Sequence, residues 1–250
     1  AGATWTSRGF RGLCSNLQAP SNGRVLRMLP AAAMTKSARP RCRPEGATWA
    51  PPPKIISDFS WRADGEGFFT AGADHLFIVE AGGGTPVQVT KGDTDQIFGP
   101  AEWTRDGSAL IYPANMREGR DNMGREMDLW KISASGGTPV QLTSTKGVET
   151  DPQLSPDGGT LAYAGTLDTP GFYAQDDLWV MPAGGGAAVN LTKALDRPIM
   201  HYSWADDGRG LYAQYNDAGL TRVAYIPKSG LKSAADARIV GIESAEYVDT

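Results

Sequence analysis

Asp-Gly recurs at residues 64, 106, 157 and 207, each time three residues after Trp61, Trp103, Leu154 or Trp204. The spacings are 42, 51 and 50 residues. Asp-Gly reaches the positive φ of a tight hairpin turn at little steric cost. A period of this size, carried by turns and short strands, marks an all-β repeat protein.

The segments between the turns agree. Each Asp-Gly is followed by a short apolar run: Gly67 to Thr70, Ala109 to Tyr112, Thr160 to Ala164 and Gly210 to Ala213. A second run follows at His75 to Val79, Asp128 to Ile132, Asp177 to Met181 and Arg222 to Ile226. In three units a glycine turn leads to a third run, Val87-Gln88-Val89-Thr90, Val140-Gln141-Leu142-Thr143 or Val189-Asn190-Leu191-Thr192. Alternation predicts Val87 and Val89 on a buried face, with Gln88 and Thr90 on a wetter one. With the strand that precedes Asp-Gly, each unit has four strands, so the pattern predicts a β-propeller of four-stranded antiparallel blades. Four blades are visible, at 54–92, 93–145, 146–194 and 195–230, and are expected to be part of a larger ring. Residues 231–250 read as the start of a further blade or a tail.

Residues 1–53 differ. They hold eight Lys/Arg and one acid, against a net charge of −4 for all 250 residues, which leaves the remainder at −11. They show no strand or helix period, contain both cysteines, Cys14 and Cys42, and end in Pro51-Pro52-Pro53. This composition predicts a disordered or non-native segment. Disulfides are not expected to hold the blades, which contain no cysteine. The acidic balance gives no basic field for nucleic acid, and no run is apolar and long enough for a membrane span.

Taken together, SPDGGTLAYAG, DLWVMPAGGG and VNLT at 155–192 resemble the WD-like repeat of TolB-type propellers. They are equally similar to the N-terminal propeller of prolyl oligopeptidase-family serine peptidases of the acylaminoacyl and dipeptidyl type. The opening APPPKIISDFSWRADGEGFF and the insert NMREGRDNMGREMDLW lean toward the peptidases. The resemblance covers about residues 50–230. It implies a non-catalytic propeller that gates peptide access to an α/β-hydrolase domain, with peptide-bond hydrolysis as the parent reaction. The alternative it implies is a stand-alone TolB-like propeller, a protein-binding scaffold in the bacterial envelope. The location is left open between bacterial periplasm and cytoplasm.

No serine here has glycine at both −2 and +2, so the nucleophile elbow of that hydrolase family is not found in these 250 residues. The chain is expected to be inactive alone, with no catalytic residues, no metal and no cofactor. The partners expected are a C-terminal hydrolase domain and short peptides.

Unequal spacing locates two long loops, 115–127 and 165–176, at the same place in successive units. Insertions at one repeat position share one face, which commonly binds ligands. The first loop carries Arg117, Arg120, Arg125 and Glu126, able to pair with a peptide's carboxylate and amine, although a solvated charged loop is the simpler account. The second carries Phe172 and Tyr173, aromatics suited to recognition. Asp64, Asp106, Asp157 and Asp207, each followed by Gly65, Gly107, Gly158 or Gly208, are expected to form turns rather than bind a cation. His75 is expected at an exposed strand edge. His201 is expected in ordinary packing, with lining of the channel or stabilising an Asp in the next blade as the sharper alternatives.

Overall fold

The computed structural model describes residues 24–30, 62–65, 67–68, 73–92, 99–117, 126–166 and 175–243. Among them every regular element is a strand, apart from one 3-10 turn at Ala234–Asp236. Three sheets are consecutive four-stranded antiparallel meanders. The first of these has β6 (Glu102–Trp103), β7 (Ala109–Ala114), β8 (Asp128–Ser133) and β9 (Val140–Gln141). The next has β10 (Glu149–Leu154), β11 (Thr160–Thr166), β12 (Asp176–Pro182) and β13 (Val189–Asn190). The last has β14 (Ile199–Trp204), β15 (Gly210–Asp217), β16 (Leu220–Pro227) and β17 (Arg238–Glu243).

The first unit is organised differently. Its β4 (Asp74–Glu80) pairs with β5 (Val87–Gln88) on one side and with β1 (Arg24–Pro30) on the other. The strands β2 (Arg62–Ala63) and β3 (Gly67–Phe68) form a separate pair. Residues 24–30 therefore form a strand inside the segment expected to be without structure. Their run lacks period-2 alternation, and pairing comes from an available edge rather than from the pattern.

The Asp-Gly glycines all have positive φ, between 65° and 87°. Asp106, Asp157 and Asp207 accept hydrogen bonds from the amides of Ser108, Gly159 and Arg209 at 2.9–3.1 Å. Between the turns, apolar side chains face neighbouring sheets. Leu76 and Ile78 join Trp103, Leu110 and Tyr112 in one core. Ile111 and Leu129 join Leu154, Leu161 and Tyr163 in the next. Ala162, Leu178 and Val180 join Tyr202, Leu211 and Ile226 in a third. The first strands β6, β10 and β14 lie side by side.

Two readings of the pattern differ from the structure. Val87 is 64% exposed and Thr90 is buried, the reverse of the alternation. The outermost strands are only two residues long, so the chain leaves the ladder after Gln88, Gln141 and Asn190 and the next two residues turn inward. There the hydroxyls of Thr90, Thr143 and Thr192 accept the amides of Leu76, Leu129 and Leu178 at 2.8–2.9 Å. The second difference is β17, which pairs with β16 and carries the fourth sheet to Glu243 rather than to about residue 230. Its approach, Leu231–Ala237, lacks the Thr-Pro-Val-Gln signature that marks the outer strand in the first two units.

Candidate functional site

The densest chemistry lies where the 115–127 loop leaves and rejoins the second sheet. Asp128 opens β8 and is fully buried. Arg117, just beyond β7, grips it with both arms of its fork: Nε to Oδ2 at 2.8 Å and Nη2 to Oδ1 at 2.6 Å. Nη1 donates to Glu126, and Nη2 also donates to the Thr145 carbonyl. Gln141 on β9 donates to Asp128 Oδ2 at 3.1 Å. The bidentate geometry is the strong form of this pair. Hydrogen bonding to Asp128, helped by the surrounding carboxylates, raises the Arg117 guanidinium further above its ordinary range.

A second buried carboxylate stands beside this pair. Glu149, 2% exposed, begins β10 of the next sheet. It accepts from the Thr143 hydroxyl at 3.2 Å and from the Thr145 hydroxyl. Burial pushes its carboxyl up to about 7, with Asp128's charge adding to the rise and the two threonines opposing it. Met127 and Val148 form a parallel bridge that ties the loop's return to the start of β10. Gly147 makes that approach possible: its φ is +147°, and a Cβ there would lie 2.5 Å from the Thr166 carbonyl oxygen.

The third sheet repeats the arrangement without the cation. Asp177 occupies the place of Asp128 and accepts from Asn190 Nδ2 at 2.7 Å, Gln175 Nε2 at 3.1 Å and the Thr192 hydroxyl at 3.3 Å. In the first unit the same place is held by His75. It is 2% exposed rather than at a surface edge. Nδ1 meets the Thr90 hydroxyl and Nε2 meets the Gly92 carbonyl, each at 3.1 Å. A histidine that follows an aspartate at a strand start reads as exposed, but its repeat position is an inward one.

A third group of polar residues joins the first strands across blades. Leu154 N donates to Glu102 Oε1 at 3.2 Å, Gln153 Nε2 to the Tyr202 carbonyl at 3.0 Å and Trp204 Nε1 to the Gln153 carbonyl at 3.0 Å. The Tyr202 hydroxyl donates to the Asp151 carbonyl. Burial raises the carboxyls of Glu102 and Asp151, and the exposed His201 opposes the rise at Asp151.

Of the residues singled out in sequence, the structure brings Arg117 and Glu126 together. Arg120, Arg125, Phe172 and Tyr173 lie outside the described residues. Asp64, Gly65, Asp106, Gly107, Asp157, Gly158, Asp207 and Gly208 sit at hairpin tips. Sequence reasoning did not single out Asp128, Asp177 or Glu149 as buried acceptors. The final threonine shared by the three outer runs was the available signal. Among the described residues no group of three or more His, Cys, Asp or Glu is placed to hold a metal.

No family model matches the chain. Over 99 residues it is 25% identical to the Tol-Pal system protein TolB of Francisella tularensis, which covers 40% of this chain and 20% of that protein. The chain thus spans a fifth of that relative. The acylaminoacyl peptidase of Pyrococcus horikoshii superposes with a TM-score of 0.57 at 13% identity, over 84% of this chain and 29% of that one. A TolB from Agrobacterium tumefaciens gives 0.50 at 19% identity, over 68% and 53%. The sheet topology and these superpositions define the class: an all-β chain of antiparallel four-stranded propeller blades. Its neighbours include both TolB-like propellers and peptidase propellers.

Proposed function

We propose that the chain is the non-catalytic propeller portion of a serine peptidase, and that it gates the access of short peptides to a hydrolase domain. The observation that carries this reading is the charged loop at 115–127. It is long and anchored at both ends, by Arg117 on one side and by Glu126 and Asp128 on the other. A long charged loop fixed at its root suits selection of what reaches that end of the blade. Arg117 has Nε and both terminal nitrogens engaged inside the protein. It positions the loop, and contact with peptide falls to Arg120, Arg125, Phe172 and Tyr173.

The test has two arms. The purified 250-residue chain is assayed with aminoacyl and dipeptidyl arylamides, and binding of fluorescent short peptides is followed by anisotropy. No turnover, with peptide binding weakened at least several-fold by Arg120→Ala with Arg125→Ala, supports the reading. Turnover blocked by a serine-directed reagent, or binding unchanged by Arg120→Ala with Arg125→Ala, overturns it.

A second reading, a TolB-like protein-binding scaffold of the bacterial envelope, is favoured by the 99-residue match to TolB. The coding frame beyond Thr250 separates the two. A Gly-x-Ser-x-Gly elbow there supports the peptidase reading, and a stop after further blades supports the scaffold.

A further inference from the structure

In three sheets, the strand that starts three residues after the turn aspartate pairs with the following strand in one fixed register. Ala109 lies opposite Ser133, Thr160 opposite Pro182 and Gly210 opposite Pro227. Each partner sits three residues before the glycine that closes the next turn, and the backbone bonds from Gly136, Gly185 and Gly230 mark those turns. In the first unit the same count gives Glu80, whose carbonyl accepts from Gly83 N at 2.9 Å. The repeat therefore assigns Gly67 to Glu80 and Phe68 to Val79.

The structure pairs them otherwise. Arg24 lies opposite Glu80 and Val25 opposite Val79, and the match continues through Pro30 opposite Asp74. Gly67 and Phe68 pair with Ala63 and Arg62, the hairpin contact that second strands also make in the other sheets, but that pair is a sheet separate from β4. An N-terminal strand thus fills the slot of the unit's own second strand, residue for residue.

We propose that the edge of β4 that faces β1 is a strand-acceptor site, occupied in turn by Arg24–Pro30 and by the segment that begins at Gly67. Strand addition draws its strength from main-chain bonds, which any extended segment offers, and its choice from alternate side chains. On the first count β1 competes well, since it pairs along all seven residues of β4. Its register sets Leu26 opposite Ile78 and Met28 opposite Leu76, two residues of the core shared with the second sheet. It contains no glycine, whereas Gly-Phe-Phe-Thr-Ala-Gly at 67–72 begins and ends with one. Gly67 itself has φ +82°, outside the strand region. The basic charge of residues 1–53 and the acidic charge of the remainder favour docking within one chain. With β1 in place the first unit is split into two sheets. With the Gly67 segment in place it becomes a regular blade like the other three. The site's occupant thereby sets whether the first blade is whole.

Disulfide trapping in the full chain, with Cys14→Ser and Cys42→Ser, tests this. One variant carries Val25→Cys with Val79→Cys, the other Phe68→Cys with Val79→Cys. Directly opposed strand residues lie within disulfide reach. Both cross-links are expected within single chains, each in part of the population. Adding Leu26→Pro, which breaks the β1 ladder, is expected to raise the 68–79 yield several-fold. Amide hydrogen exchange at Phe77 and Val79, whose amides alternate with the Thr90-bonded amide of Leu76, reads the same edge without a cross-link, and protection there is expected to survive Leu26→Pro. Formation of only one cross-link, a 25–79 link found only between two chains, an unchanged 68–79 yield or lost protection would overturn the proposal.

Discussion

Asp128 and Asp177 occupy the same repeat position one sheet apart, and both are buried. Each precedes a leucine whose amide is held by the threonine of the outer run. Their partners differ. Asp128 is held by a guanidinium and stands near a second buried carboxylate, while Asp177 is held by two amides and a hydroxyl. His75 fills the position in the first unit. The blade therefore needs a polar group there, not a charge. The charge in the second unit belongs to its loop.

The largest separation between the two sites is expected on removing the cation. Arg117→Ala leaves a buried carboxylate without its partner, a loss of about 3 kcal/mol. For a chain of this size that is about 6–12 °C in Tm, read by thermal melting. Asp177→Asn keeps one acceptor oxygen for Asn190 and leaves no buried charge unpaired, and is expected to cost about 1 kcal/mol. Equal losses would erase the distinction drawn here.

Next in size is Gly147→Ala, which forces a Cβ against the Thr166 carbonyl at a left-handed φ. A loss of about 1–3 kcal/mol is expected, together with faster exchange of the Met127 and Glu149 amides that form the bridge. Unchanged exchange there would show that the bridge does not secure the loop's return.

Of the two sites, a pH signature should belong to the charged one. Glu149 titrates near 7 in the folded chain against an ordinary 4.5. The folded state then holds the proton more tightly than the unfolded one, so this group lowers stability as pH rises from about 4.5 through about 7. Glu149→Gln is expected to flatten that fall and to gain on the parent at pH 8. A parallel pH profile for parent and variant would contradict it.

The smallest effect is expected at the exposed turns. The Thr104 hydroxyl, with Ser108, holds the Asp106 carboxyl down at about 2. Asp106→Asn can keep the turn's acceptor, so Tm at neutral pH should shift less than for any variant above.

The blades were legible because turn chemistry and strand length are local. Gly107 and Gly158 need positive φ, and the sequence places glycine there. Val87 was misassigned because a two-residue edge strand is too short for alternation to fix a face. The strand at Arg24–Pro30 was hidden because its partner lies about fifty residues away and its own pattern carries no period. Arg117 and Glu126 were visible as charges. That they close on Asp128 depends on β7 and β8 lying side by side, with Ala114 opposite Asp128. Glu149 had only the threonine of the outer run as a signal, because its burial arises where the third sheet meets the second.

A double-mutant cycle of Arg117→Ala with Asp128→Asn, measured by denaturant unfolding at pH 7, tests most directly that this pair roots the loop. The account predicts a coupling of at least about 2 kcal/mol, with the double variant scarcely less stable than Arg117→Ala alone. A coupling near zero, with the two losses simply adding, would contradict it.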